Sequence, residues 1–312
     1  MRRPTPLAVV AAAAALAGVR ARTARAGTGL SGADLHGRTA VVTGAGSGIG
    51  RALALLLARR GAFVHVADLD AGRAQAVTHQ ILDSGGQAVA HTVDVSDAAA
   101  VDALAEQVAQ ADGVDLLFNN AGIGHAGNVA DTPLSDWQRV IDVNLMGVVH
   151  GVHAFVPLLL TQGRPAHIVN TASVAGLLPV PGMVPYSTTK AAVIGLSEAL
   201  DAELRPHRIR VSALCPGVIA TDIVRTSTMR GAWQERHAGA TELYATRGTS
   251  PDVVARAALD AVTRGQLIVP TPRHQVVPPW LLVRLWPAAG RALNAAVVNR
   301  MRAVSMSAPS GT

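Results

Sequence analysis

Short apolar runs alternate with stretches of helical period along most of this chain. Residues 38–43 (RTAVVT) have the length and content of a buried strand, and within 49–60 the apolar positions Leu53, Leu56 and Leu57 recur at helical spacing. The pair then repeats: 63–68 (FVHVAD) predicts a second strand, 71–84 a helix, 88–93 a strand, 98–111 a helix and 115–119 a strand. A long helix over 135–161 precedes a strand at 167–171, a helix over 186–205 precedes a strand at 210–214, and 267–270 is the last strand. Strands apolar on both faces and joined by crossover helices predict an α/β, doubly wound, seven-stranded parallel sheet with helices on both sides. Ligands of such sheets bind beyond the carboxyl ends of the strands, where the strand order reverses.

The pattern covers 34–272 as one domain, flanked by basic, apolar extensions at 1–33 and 273–312. A hydrophobic content of 49% with 15% charged residues excludes a disordered chain. The single cysteine, Cys215, excludes an internal disulfide framework and leaves no cysteine cluster for a metal, so no metal is expected. The net charge of +6 is unevenly spread: 1–33 and 261–312 carry eleven arginines and no acid, whereas 34–260 holds 16 basic against 21 acidic residues. An acidic body does not suit a nucleic-acid binder, which shows a basic stripe on its folded face. It suits a cytoplasmic enzyme whose two ends contact an anionic membrane surface.

At the N-terminus, Arg2 and Arg3 precede an apolar run over 7–19, and Ala24, Arg25 and Ala26 follow. This outline resembles a secretory signal, but 13 apolar residues are too few to span a bilayer. The reading favours an uncleaved extension or surface anchor over a removed signal or a passive tail. The C-terminal extension sets Trp280 and Trp286 around Leu281, Leu282, Val283 and Leu285, with Arg284, Arg291, Arg300 and Arg302 along it. It reads either as a membrane-interface segment or as a helix packed on the body or on a second subunit.

After the first strand, residues 43–50 read TGAGSGIG and open a helix. Glycines there permit a tight turn and close approach of a pyrophosphate, whose charge the helix N-terminus stabilises. Asp68 ends the second strand 18 residues past Gly50, where a carboxylate can accept both hydroxyls of an adenosine ribose and repel a 2′-phosphate. Leu69 rather than arginine follows it, so NAD is favoured over NADP. Taken alone, Asp68 reads equally as a turn former. Asp94 and Val95 close the third strand, where the aspartate could meet an adenine amino group; Asn119, Asn120, Ala121 and Gly122 close the fourth, as cofactor contacts or as architecture.

Of 27 basic residues only Lys190 is lysine, and it stands four positions after Tyr186, one of two tyrosines. On a helix the two share a face, and a phenol beside a fixed cation has a lowered pKa that makes it usable as an acid or base. Together with the 43–50 turn, residues 119–122, Asn144, Ser173, the run Tyr186, Ser187, Thr188, Thr189, Lys190, and Pro216 with Gly217, these elements resemble the short-chain dehydrogenase/reductase family over about 36–272. The resemblance implies a Rossmann-type fold and a catalytic tetrad of Asn144, Ser173, Tyr186 and Lys190. It also implies contacts to NAD from Gly44, Gly48, Ile49, Gly50, Asp68, Asp94, Val95, Asn120, Ala121, Gly122, Lys190, Pro216, Gly217, Ile219 and Thr221, and assembly as a homodimer or homotetramer.

The residues read chemically agree with these roles. Tyr186 as phenolate takes a hydroxyl proton, Lys190 sustains the phenolate, Ser173 donates to the substrate oxygen, and the Asn144 amide could hold a water linking Lys190 to solvent. The segment 222–250 reads as a substrate lid containing Trp233 and Tyr244. Leu177, Leu178, Val180, Met183, Val184 and Ile123 form an apolar wall that suits a small hydrophobic alcohol or ketone, and His125 reads as a loop histidine at its rim. The expected activity is hydride transfer at a CH–OH group. A non-catalytic dinucleotide sensor or scaffold, and an epimerase or dehydratase on the same fold, are the competing readings.

Overall fold

In the computed structural model, residues 30, 34–111, 113–292 and 294–296 are described. Apart from Leu30, the N-terminal extension and with it the expected surface anchor lie outside them, as do Arg300 and Arg302 of the C-terminal extension. The first half of the fold is β1 (Thr39–Thr43), α1 (Gly48–Arg59), β2 (Phe63–Asp68), α2 (Ala71–Asp83), β3 (Gln87–Thr92), α3 (Ala98–Gln110) and β4 (Leu116–Asn119). A two-residue strand β5 (His125–Ala126) then leads to α4 (Leu134–Ile141), a π-helical turn at Asp142–Met146, and α5 (Gly147–Gln162). The rest comprises β6 (Ala166–Thr171), α6 (Val174–Leu177), α7 (Val184–Leu204), β7 (Ile209–Pro216), β8 (Thr228–Met229), α8 (His237–Arg247), α9 (Pro251–Arg264), β9 (Ile268–Thr271) and α10 (Arg273–Leu285).

Seven strands pair in the order β3-β2-β1-β4-β6-β7-β9, every pair parallel, as the alternation predicts. The order reverses between β1 and β4, so their carboxyl ends open a crevice. Alternate residues of β1 serve the two faces. Ala40 and Val42 pack with Leu53 and Leu57 of α1, Val77 and Ile81 of α2 and Val254 and Leu259 of α9. Val41 faces the other way, toward Val101 and Leu104 of α3 and Phe155 and Leu159 of α5. The continuous helical stretch Leu134–Gln162 is long and apolar enough to cross a membrane, but here it is one of these covering helices.

Three features depart from the sequence pattern. α9 was not expected; its stripe of Val254, Ala255, Ala258, Leu259, Ala261 and Val262 is buried, but small side chains give it little contrast with its neighbours. The helix expected over 135–161 contains the π-turn. The segment 222–250 is not a bare loop, because it carries β8 and α8, and β8 pairs with β5 in a second small parallel sheet.

Two histidines are enclosed in the sheet layers. His167 on β6 is fully buried, its Nε2 2.8 Å from the Ser212 hydroxyl; burial first, and then the Arg210 charge, depress its pKa to about 3. His65 on β2, its Nδ1 2.9 Å from His91 Nε2, is depressed to about 4 by burial and then by the charge of His91. Unfolded, both would bind protons near 6.5, so they favour folding fully only above that pH. We therefore expect the urea midpoint to be level near pH 7 and to fall as the pH drops from 6.5 toward 4, each group adding at most about 1.4 kcal/mol per pH unit. A His167→Gln variant, titrated the same way, should show a shallower slope.

Candidate functional site

The turn that leaves β1 is shaped by what touches it. Gly44 has φ +63°, and a Cβ there would stand 2.7 Å from the Ala121 Cα. A Cβ on Gly50 would run into the Gly44 carbonyl and stand 2.6 Å from Asn120 Nδ2. The ends of β1 and β4 are laced together: the Thr43 hydroxyl accepts the Asn120 and Ala121 N–H groups at 3.0 and 3.1 Å, and Asn120 Nδ2 donates to the Thr43 carbonyl at 3.1 Å. Ser47, the N-cap of α1, makes no side-chain capping bond, so no side chain competes for the first helical N–H groups.

Asp68 at the end of β2 accepts the Gly46 N–H on Oδ2 at 2.8 Å and the Asp70 N–H on Oδ1 at 3.0 Å. Each carboxylate oxygen keeps a further lone pair for an outside donor. Thr221 closes over the same turn, its Cγ2 3.0 Å from where a Cβ on Gly48 would stand. A side-chain-free cradle at a helix N-terminus, with a carboxylate beside it, fits a dinucleotide: the turn could receive a pyrophosphate and Asp68 the hydroxyls of a ribose. Ile49 packs partly buried against the core under this turn.

Other expected cofactor residues are disposed differently. Asp94 is exposed and folded back on Ser96, whose N–H and hydroxyl it accepts at 2.9 and 2.6 Å. Val95 is buried, and its carbonyl accepts from His150 Nδ1 at 2.9 Å. Pro216 ends β7, the Gly217 N–H donates to the Thr271 carbonyl at 2.8 Å, and Ile219 is buried and bridged to Thr249.

On the other side of the crevice, Ser173, Tyr186 and Lys190 come together from β6 and α7. Ser173 follows β6 and caps α6, its Oγ accepting the Ala175 N–H at 3.1 Å. The Ser173 side chain lies near the phenol of half-buried Tyr186 and acts to lower its pKa. Lys190, one turn further along α7, is 2% exposed. Its Nζ donates to the Thr171 carbonyl at 2.8 Å and lies 5.8 Å from the centre of the Tyr186 ring.

The electrostatics differ from the simple expectation of a phenol acidified by its neighbour. Burial pushes the Tyr186 phenol up to about 12, outweighing the lowering by Ser173, with the Tyr244 charge raising it further. Burial likewise brings Lys190 down to about 8. In this arrangement desolvation dominates both shifts, and the phenol is in its protonated form at neutral pH.

Asn144 sits in the π-turn and is fully buried. Its Oδ1 accepts the Ile123 N–H at 2.8 Å and its Nδ2 donates to the Ile123 carbonyl at 2.9 Å. The amide expected to hold a water is thus bonded to the backbone after Gly122. A Cβ on Gly122 would lie 3.1 Å from Asn144 Oδ1 and 3.4 Å from Lys190 Nζ, so these three residues meet at one point. π-turns re-aim side chains in this way and are frequent at functional sites.

The segment 222–250, expected as a lid, is tied down at four places. Through β8 its backbone pairs with β5, and the Arg230 N–H donates to the Ala126 carbonyl at 2.9 Å. Arg230 forks onto Asp136 of α4 at 2.6 and 2.9 Å, which holds that carboxyl below the usual carboxylate range. The Trp233 ring packs on Gly182, where any Cβ would overlap it, and Thr249 brackets Ala220 on the far side. His125 is not a rim residue: it is 1% exposed, with Nε2 3.3 Å from Asp136 Oδ2.

Sequence reasoning missed the Thr171 carbonyl, the Thr43 hydroxyl and the Asp136–Arg230 pair. A carbonyl leaves no mark on a sequence, and residues 94 apart share no spacing rule. It also missed Arg73, whose Cβ is 2.6 Å from where a Cβ on Gly46 would stand and whose guanidinium pairs with Asp70 at 3.3 Å.

Comparison with known proteins gives a consistent picture. The family model for short chain dehydrogenases matches residues 38–230. A probable oxidoreductase, EphD, from Mycobacterium tuberculosis is 42% identical over 236 residues, which is 73% of this chain and 40% of that protein. The chain thus spans well under half the length of that relative. A cyclohexanol dehydrogenase from Acinetobacter is 39% identical over 191 residues, covering 61% of this chain and 76% of the relative. Among solved structures, a short-chain dehydrogenase/reductase from Burkholderia phymatum in complex with NAD superposes with a TM-score of 0.75 at 34% identity, covering 80% of this chain and 94% of its own.

The lid geometry makes one prediction. Arg230→Ala should speed chymotryptic cleavage within 222–250 on the order of tenfold, while the melting temperature moves little, since the charge-assisted fork closes this segment locally. An equal loss of global stability would show that the pair holds the whole fold and not the lid.

Proposed function

Since the chain belongs to the short-chain dehydrogenase/reductase family, we propose that it transfers a hydride between NAD and a secondary alcohol or ketone of a small hydrophobic substrate, with Tyr186 as the acid/base. The observation that carries this reading is the meeting of Ser173, Tyr186 and Lys190 beside the glycine turn and Asp68.

Bound NAD accepts or supplies the hydride. The chain's own groups handle the proton and the charge. In reduction, the Tyr186 phenol gives its proton to the carbonyl oxygen as that oxygen gains charge, and the Ser173 hydroxyl donates a second hydrogen bond to it. In oxidation, the phenolate takes the hydroxyl proton; Lys190 stabilises that phenolate, and any further cation beside the ring lowers the phenol from its value of about 12. Asn144 positions Gly122 and Ile123 against Lys190.

NAD is favoured because the Asp68 carboxylate would repel a 2′-phosphate, and the nearest arginine, Arg73, is already paired with Asp70. Asp94, turned onto Ser96, serves the adenine end through its loop more than through its carboxylate. The half-buried Ile123, Leu177, Leu178, Val180 and Met183 support an apolar substrate, as does the similarity to a cyclohexanol dehydrogenase. A homodimer or homotetramer through the α5 and α7 layer is supported by the partly exposed apolar run of α5, where Leu160 is 39% exposed. The acidic body and the need for dinucleotide support a cytoplasmic setting; membrane contact is developed below.

Tyr186→Phe should lower NAD-linked turnover of a secondary alcohol panel that includes cyclohexanol by about a thousandfold, with NAD affinity by calorimetry unchanged within about twofold. Parallel loss of binding and turnover would contradict the acid/base role, turnover retained by the variant would place the acid/base elsewhere, and a wild type that binds NAD but turns over no alcohol would leave a pure binder. Asp68→Ala should weaken NAD binding about tenfold and narrow its margin over NADP. A native preference for NADP would overturn the ribose argument.

A further inference from the structure

The C-terminal extension lies across the mouth of the crevice. α10 leaves β9 directly, and its first turn packs on the nicotinamide-side loop: Val276 is fully buried, and a Cβ on Gly217 would meet Gln275 Oε1 at 3.3 Å and Val276 at 3.4 Å. Gln275 Nε2 donates to the Thr249 hydroxyl at 3.5 Å, reaching the end of the lid. Past Trp286 the chain turns back: Gly290 is buried against Val283, and Asn294 Nδ2 donates to the Pro179 carbonyl at 3.3 Å. Pro179 belongs to the apolar wall that leads to Tyr186. The extension therefore touches the rim on both sides.

Its outward side is apolar. Leu281, Leu282 and Leu285 recur at helical spacing and are 44%, 49% and 81% exposed, and Trp286 beside them is 67% exposed. Arginines frame the patch: Arg284 lies over the Trp280 ring at 5.8 Å, and Arg273 and Arg291 are exposed. From 261 to 312 the sequence holds six arginines and no acidic residue. Leucines and an indole flanked by guanidiniums match the boundary of a bilayer, where apolar side chains enter the acyl region and arginines settle among headgroups. A symmetric pairing of the patch with itself would instead set these arginines against each other.

We propose that α10 and the turn after it dock the protein on an anionic lipid surface, with the mouth of the crevice facing the bilayer so that apolar substrate enters from the lipid. The delivery half of this proposal rests on the alcohol/ketone reading above; the docking half does not.

The test is sedimentation of the purified full-length chain with vesicles of phosphatidylglycerol and phosphatidylcholine, or of phosphatidylcholine alone. The wild type should bind the anionic vesicles at least tenfold better than the neutral ones. Leu281→Ser, Leu285→Ser and Trp286→Ser combined should lower that binding at least tenfold, and Arg284→Gln with Arg291→Gln should remove most of its salt sensitivity, with the melting temperature and NAD affinity retained. Turnover of a long-chain secondary alcohol carried in the vesicles should fall with binding in the apolar variant, while turnover of water-soluble cyclohexanol stays the same. Undiminished binding by the apolar variant would overturn the proposal, because another part of the chain would then be the anchor. So would an oligomer in the wild type that the apolar substitutions dissociate, since a second copy would then cover the patch. Vesicle docking without turnover of any alcohol would leave the docking and sink the catalytic reading instead.

Discussion

An ammonium group buried to 2% exposure needs a partner, and for Lys190 the hydrogen bond the structure shows is to the carbonyl of Thr171, at 2.8 Å. That single contact sets the register of α7 on β6, because the lysine reaches the strand's carboxyl end only when Tyr186, one turn earlier, stands beside Ser173. The same constraint draws in its neighbours. A Cβ on Gly176 would stand 2.6 Å from the Lys190 carbonyl carbon, so α6 packs on the backbone of α7, and Gly122 with the Asn144 amide closes the remaining side. Desolvation brings the ammonium to about 8 and the phenol to about 12, which places the pair on either side of an ordinary phenol, ready for a proton to move once charge develops nearby.

The crevice is assembled from two halves that the sheet order joins. β1 and β4 are neighbours although 77 residues separate Thr43 from Asn120, and the hydroxyl of Thr43 binds the backbone that begins the catalytic side. The glycine turn and the β6 end that carries Thr171 and Ser173 are therefore joined through Asn120. Over them lies a layer of looser construction: the lid, tied by the Asp136–Arg230 fork and by Trp233 on Gly182, and the C-terminal extension reaching Pro179. Rigid groups below and a tied but separable cover above are the arrangement a site needs if it is to admit a ligand and then exclude water.

Much of the fold was legible because strands covered on both faces are apolar throughout, and their crossover helices carry an opposing period. The glycine turn and the Tyr186 and Lys190 pair were legible because each is a local run. The small β5–β8 sheet was not, since two-residue strands have no periodicity, and α9 was obscured by its alanines. His125 shows the limit most plainly: its position after the fourth strand suggests a rim, yet it is enclosed, with nearby Asp136 beside it held by Arg230 from a distant segment.

The sequence by itself determined the succession of the seven main strands and most of their crossover helices, the glycine turn, and which side chains stand one turn apart, because these depend on neighbours within a few residues. Only the tertiary structure decided the partner of Lys190, the use of the Asn144 amide on Ile123, the direction of the Tyr186 shift and the placement of the C-terminal extension across the crevice. Each of these depends on how much water is excluded and on which remote backbone group fills the space, and burial and long-range contact are properties of the packed chain.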